Sequence, residues 1–201
     1  MTVPDNEIRK KGATSGILLG VILMMLNIFS FYFITTIATS FWMISFGPII
    51  FSVLLPLIVA GVFCSDLRKK LGGYWTFKQA TTAIFMMMLV SYAITYLGAN
   101  VLFGKVVEPH MIEKTQTAII GATTQMMEKQ GVEQGKIDDQ VEKMQKQFAL
   151  QTDTSPVKVL TGIAVSLIFI FVLALIFAAI FKKDPPLFDI AALEQEADPT
   201  V

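Results

Sequence analysis

His110 is the only histidine in the chain, and Glu108 and Glu113 flank it. One imidazole and two carboxylates are donor types for a divalent metal, and His110 and Glu113 would share a helix face. Donors packed so closely along the chain around Pro109 are poorly spread for a tetrahedral ion, so a solvated loop histidine is expected. Cys64 is the only cysteine, which excludes an intramolecular disulfide and a cysteine-based zinc centre. It reads as small apolar filler. Ser52, Ser91 and Ser166 lie in apolar runs that hold no histidine or lysine to serve as a base. They are expected to hydrogen-bond helix carbonyls or to reach across helices. There is no G-x-S-x-G, no H-E-x-x-H and no Gly-rich phosphate loop. A lipid-modifying enzyme would need a clustered catalytic set at a membrane interface, and Tyr74, Lys78 and Asp66 are its only nearby candidates. The expectation is therefore a protein that is not an enzyme and has neither cofactor nor metal.

The elements that would hold these residues are set by lipid. Between Lys11 and Asp66 there is no Asp, Glu, Lys, Arg or His. One bilayer crossing needs roughly 20 apolar residues, well under half of that run. As a single helix it would be about 80 Å long, at ~1.5 Å per residue, so it must fold back as two spans. The whole chain is 54% hydrophobic and 16% charged, where soluble domains carry about 25% charge. Its mean hydropathy is +0.62. Sixteen basic and sixteen acidic residues cancel, so there is no global polybasic signature and no nucleic-acid partner is expected. Arg9, Lys10 and Lys11 resemble the start of a signal peptide, but the apolar stretch that follows exceeds the usual 7–15 or so residues and reads as a retained span.

The fold class expected is all-α: an integral membrane four-helix bundle with a polar helical excursion between spans three and four. Span one runs from Gly12 to Ile37 and span two from Phe46 to Cys64. Thr39, Ser40, Ser45 and Gly47-Pro48 form the turn between them, with Phe41 and Trp42 as interfacial aromatics. Pro48 suits the first turn of span two, and Pro56 should kink it. Span three runs from Phe77 to Gly104. Span four runs from Pro156 to Phe181, with Ser155 as its N-cap and Pro185-Pro186 beyond its end. The chain thus divides into an N-terminal segment (1–11), three spans (12–104), an extracytoplasmic excursion (105–155), span four (156–183) and an acidic tail (184–201).

Lysine and arginine placement orients the bundle. Arg9-Lys10-Lys11, then Arg68, Lys69, Lys70 and Lys78, then Lys182-Lys183 all fall on one side if there are four spans. Both termini are then cytoplasmic, and the excursion is outside. Within the excursion two amphipathic helices are expected, at 109–129 and 137–151, separated by Gly131 and Gly135. The cleaner stripe is Ile137, Val141, Met144 and Phe148, the expected partner surface.

Gly12, Gly16 and Gly20 recur every fourth position and form a groove for close helix approach. It serves either self-association or packing of span one against a sister span. Arg68-Lys69-Lys70 with Tyr74 and Trp75 form a basic-aromatic membrane margin, either binding lipid headgroups or anchoring topology. Gly72-Gly73 permits a tight reversal, after which Tyr74 and Trp75 seat at headgroup level and Phe77 starts span three.

The segment Arg68-Lys69-Lys70-Leu71-Gly72-Gly73-Tyr74-Trp75-Thr76-Phe77-Lys78-Gln79-Ala80 resembles the loop motif of the domain-of-unknown-function family numbered forty-one ninety-nine. The four-span layout resembles it too, over roughly residues 8–186. That resemblance implies the cytoplasmic (inner) membrane of a Gram-negative bacterium with a periplasmic excursion, and no particular activity. The longer Gln-rich excursion departs from shorter members.

The span interiors hold no acidic, basic or histidine residue, which disfavours ion-coupled transport by this chain alone. The leading expectation is an accessory or scaffold subunit acting through protein contacts. Its partners would be the lipid bilayer, a membrane or periplasmic protein, and a second copy of itself. The alternative is a small transporter or channel subunit for a neutral solute, lined by Asn27, Ser52, Ser91 and Asn100.

Overall fold

A computed structural model describes residues 4–151 and 155–184. Every extended element among them is a helix. We number the helices α1 (Asp5–Ile37), α2 (Phe41–Lys70), α3 (Phe77–Val107), α4 (Met111–Lys129), α5 (Gln134–Gln151) and α6 (Pro156–Phe181). α1, α2, α3 and α6 are each long and apolar enough to cross a membrane. The chain is a multi-pass membrane protein, as its charge-free runs require.

The helices start earlier than the apolar runs suggest. α1 begins at Asp5, with Pro4 at the N-cap position. A Glu7–Lys11 ion pair at 2.7 Å supports its first turns, and Ile8 is buried in the core. Residues 5–11 therefore extend the first helix rather than forming a separate segment. α2 begins at Phe41, because the Ser40 hydroxyl accepts from the Met43 amide at 3.4 Å. Pro48 thus lies inside the helix rather than in its first turn. Trp42 stacks on Phe46 along one helix face, with centroids 5.6 Å apart.

Three spans widen into π-helix at the end opposite the chain termini: Phe33–Ile37, Ile50–Leu54 and Tyr96–Val107. In α2 the widened turn falls between Pro48 and Pro56. Each proline lacks an amide and its ring clashes with the preceding turn, so the i→i−4 ladder breaks there and a wider turn absorbs the break. Ser30 of α1 covers this stretch, its hydroxyl 3.4 Å from that of Ser52.

α1 and α3 form the most extensive helix pair, with α2 beside α1 and α6 beside α3; α2 also touches α6, closing the bundle. Alanines line these contacts: Ala80, Ala83, Ala174 and Ala178 are fully buried, around Ile84, Met87, Cys64 and Leu67. Small residues let backbones approach closely enough for dispersion to hold helices together in lipid. α4 sits across the tips of α1 and α2 through Ile34, Ile44 and Ala122. α5 folds back on α4, and Gly131 (φ +71°) makes the reversal. The acidic residues of the tail, Asp189, Glu194, Glu196 and Asp198, with Pro185-Pro186, lie outside the described residues.

Candidate functional site

The basic margin is the most organised polar feature. Leu71 and Gly73 amides return to the Arg68 carbonyl at 3.1 and 2.9 Å, closing the end of α2. Gly72 and Gly73 take φ of +100° and +85°, which a side chain resists. That double reversal turns Trp75 back into the protein. Thr76 then starts α3 with a capping box, its hydroxyl on the Gln79 amide and Gln79 Oε1 on the Thr76 amide.

Trp75 points into the protein rather than out of it. It is only 2% exposed. Its indole Nε1 donates to the Phe181 carbonyl at 2.8 Å, and its backbone pairs with Lys183 in both directions at 2.9 and 3.3 Å. Arg68 donates a longer bond, 3.4 Å, to the same carbonyl. The last carbonyls of a helix have no partner of their own. The loop supplies partners at the end of α6, and Lys183 lays its ammonium over the Tyr74 ring at 5.2 Å. Tyr74 and Phe77 remain partly exposed on the outer side. Half of the expected aromatic margin is thus a clasp on span four.

Gly12, Gly16 and Gly20 face α3. A Cβ on Gly12 would meet the Ala83 carbonyl oxygen at 2.5 Å, and one on Gly16 the Met87 oxygen at 2.5 Å. On Gly20 it would meet Ile94 Cβ at 2.8 Å. The Thr95 hydroxyl donates to the Gly20 carbonyl at 3.2 Å, across the same seam. Of the two uses open to this groove, packing against a sister span is the one built.

A further clasp joins α1 to α2. Lys11 Nζ donates to the Lys70 carbonyl at 2.8 Å, and Lys70 pairs with Asp66 at 2.7 Å. Beside it lies a cavity of about 610 Å³ between α1 and α2, lined by Thr14, Ser15, Ser65, Asp66 and Lys69 among others. It adjoins a cavity of about 380 Å³ reached by Lys10 and Lys11. Sequence reasoning missed this cleft because its two walls are far apart in the chain.

At the opposite end, a cavity of about 640 Å³ lies between the tip of α1 and the start of α4. Here His110 Nδ1 is 3.1 Å from Glu113, while Glu108 pairs with Lys114 at 2.8 Å. Among the described residues no three such donors converge on a metal position.

The chain matches the family model described as protein of unknown function, DUF4199, over residues 14–183. It belongs to that family. Neither curated proteins nor solved structures give a match. In this DUF4199 chain the matched region runs from the glycine seam to the clasp on span four, taking in the excursion.

The excursion stripe is partly covered. Ile137 is 2% exposed, and Val141, Met144 and Phe148 are half-buried, on a helix that packs against α4. The polar residues considered for a solute path are scattered: Ser91 is buried and bonds Met88 of its own helix. Ser52 is exposed as a residue but turns its hydroxyl to Ser30 of α1, and Asn100 is exposed. Of Tyr74, Lys78 and Asp66, the last pairs with Lys70.

Proposed function

We propose that this chain is a non-enzymatic accessory or scaffold subunit that acts through protein contacts, holding its helical hairpin at the membrane surface. The observation behind this reading is the seat of α4 on the tips of α1 and α2 through Ile34, Ile44 and Ala122. The spans beneath carry no acidic, basic or histidine side chain in their interiors, so the charged groups available to a partner are outside the bilayer. The partner surface is the outer face of α5, where Asp138, Asp139, Glu142 and Lys143 are exposed. Its apolar stripe is already engaged.

In this reading the chain lies in a bacterial inner membrane with both termini cytoplasmic and the hairpin outside. Support comes from the three basic groups meeting at one end of the bundle, joined by Lys11 to Lys70 and by Trp75 to Lys183. Charge reversal at Asp138, Asp139 and Glu142 leaves the buried stripe untouched. It should abolish recovery of a protein cross-linked to the full chain in cells. Unchanged recovery, together with unchanged recovery after removal of residues 109–151, would sink the proposal.

A further inference from the structure

The geometry points to a binding site for an anionic phospholipid in the cleft between α1 and α2, at the basic margin. It is at the other end of the molecule from the hairpin and does not depend on the role given to it.

Four observations meet there. First, the two cavities share Thr14, Ser15 and Lys70, so they form one cleft. Second, its walls change character with depth. Lys10, Lys11, Lys69 and Lys70 stand at the outer end, and Leu18 and Val62, 59% and 63% exposed, stand toward the membrane interior. A headgroup and the start of an acyl chain need this order of polar then apolar wall. Third, the charges do not cancel. Glu7 pairs with Lys11 and Asp66 with Lys70. Lys10 and Lys69 have no carboxylate partner among the described residues and are exposed. Fourth, Ser15 lines both cavities at 6% exposure, and its hydroxyl has no protein hydrogen-bond partner among the described residues. That hydroxyl is not sealed off: among the described residues no fully buried side-chain nitrogen or oxygen lacks a partner, so it opens into the cleft, where a ligand atom can reach it. Phosphate oxygens accept from hydroxyl and ammonium donors, and two free lysines with a free hydroxyl supply such a set.

The lysines set the headgroup charge and the hydroxyl sets the depth. Zwitterionic lipid gains less, because its own ammonium opposes Lys10 and Lys69. At about 1 kcal/mol for each basic residue near an anionic surface, the two lysines together correspond to roughly 30-fold preference.

The test uses the full chain in neutral detergent with dioleoyl phosphatidylglycerol and dioleoyl phosphatidylcholine at equal amounts, and native mass spectrometry as readout. Phosphatidylglycerol should be retained selectively. The K10Q/K69Q pair should abolish that selectivity, and Ser15→Val, which fills the cleft, should abolish retention. Lys78→Gln, at the same margin but outside the cleft, should change neither. Thermal unfolding of each variant separates loss of binding from loss of fold. Equal retention of the two lipids, or selectivity that survives K10Q/K69Q, overturns the site. Displacement of the lipid by millimolar inorganic phosphate would make free phosphate the ligand and overturn the lipid assignment. Retention that appears only after removal of residues 187–201 would make the acidic tail the occupant, with the same consequence.

Discussion

Gly16→Ala is the sharpest test of how the bundle is held. The added methyl carbon would sit 2.5 Å from the Met87 carbonyl oxygen, 3.0 Å from Val90 Cβ and 3.1 Å from Met87 Cα. Ordinary contact begins at 3.4 Å, so α1 and α3 must separate by about 0.9 Å, and a gap of that order forfeits roughly a quarter to a half of the local dispersion attraction. The obstacle is backbone, which cannot rotate away. In lipid, dispersion is the main attraction between apolar helices, so the loss is not offset by water. Overpacking of this kind costs about 1–3 kcal/mol. Two comparisons isolate the cause. At Gly98 a Cβ would also collide, but with the thioether of Met24. That flexible end can swing aside, so Gly98→Ala should cost little. At Gly121 nothing lies within 4 Å, and Gly121→Ala should stabilise α4 by about 0.5–1 kcal/mol through helix propensity. The assay is equilibrium unfolding in mixed dodecylmaltoside and dodecyl sulfate micelles, followed by circular dichroism. If Gly16→Ala unfolds at the same detergent fraction as the unaltered chain, or if Gly98→Ala proves the more damaging, the close-approach explanation is wrong.

Trp75→Phe keeps a ring in place and removes the donor to Phe181, so it should cost about 1–3 kcal/mol and raise amide exchange at Lys182 and Lys183 by about tenfold. Exchange unchanged at both amides would mean the indole bond is dispensable. Ile137→Ala should loosen the hairpin by about 2 kcal/mol or more, read as faster proteolysis around Gly131 and Gly135 with α1, α2 and α3 intact. Equal cleavage rates would show that the stripe is not what joins α5 to α4. Cys64 is fully buried, so it should resist maleimide until dodecyl sulfate is added. Against that silent background, Gln130→Cys should label in intact cells and Asp5→Cys only after permeabilisation, and the reverse pattern would invert the orientation.

The spans were legible because lipid imposes a strong rule on sequence: long runs without charge, ended by lysine and arginine. The folding of the excursion into two helices was legible from the spacing of Ile137, Val141, Met144 and Phe148. What those residues pack against was not. An amphipathic stripe states that something covers it and not what, and here the helix that carries it folds back on α4. The start of α2 was hidden by a competition between local rules. Pro48 is favourable in a first turn, but the Ser40 cap prevailed and a widened turn between the two prolines absorbed the cost. Trp75 was misjudged for a different reason. An aromatic residue beside a basic cluster reads the same whether it faces headgroups or core, and its acceptor lies 106 positions away. The glycine groove carried both of its uses equally until the opposing helix was in view.

The clasp around Phe181 also sets an order of events. Chains emerge from the ribosome N-terminus first, so Arg68 and Trp75 are made long before the carbonyl they bind. Until α6 arrives, the indole donor has no carbonyl from that helix to bind, and the surfaces of α2 and α3 that α6 will cover lack that partner. A chain that ends between α3 and α6 therefore keeps three spans and lacks that closure. Arrival of the last helix converts an indole N–H without its acceptor into a sealed joint, and Trp75 fluorescence is a built-in reporter of completed biogenesis.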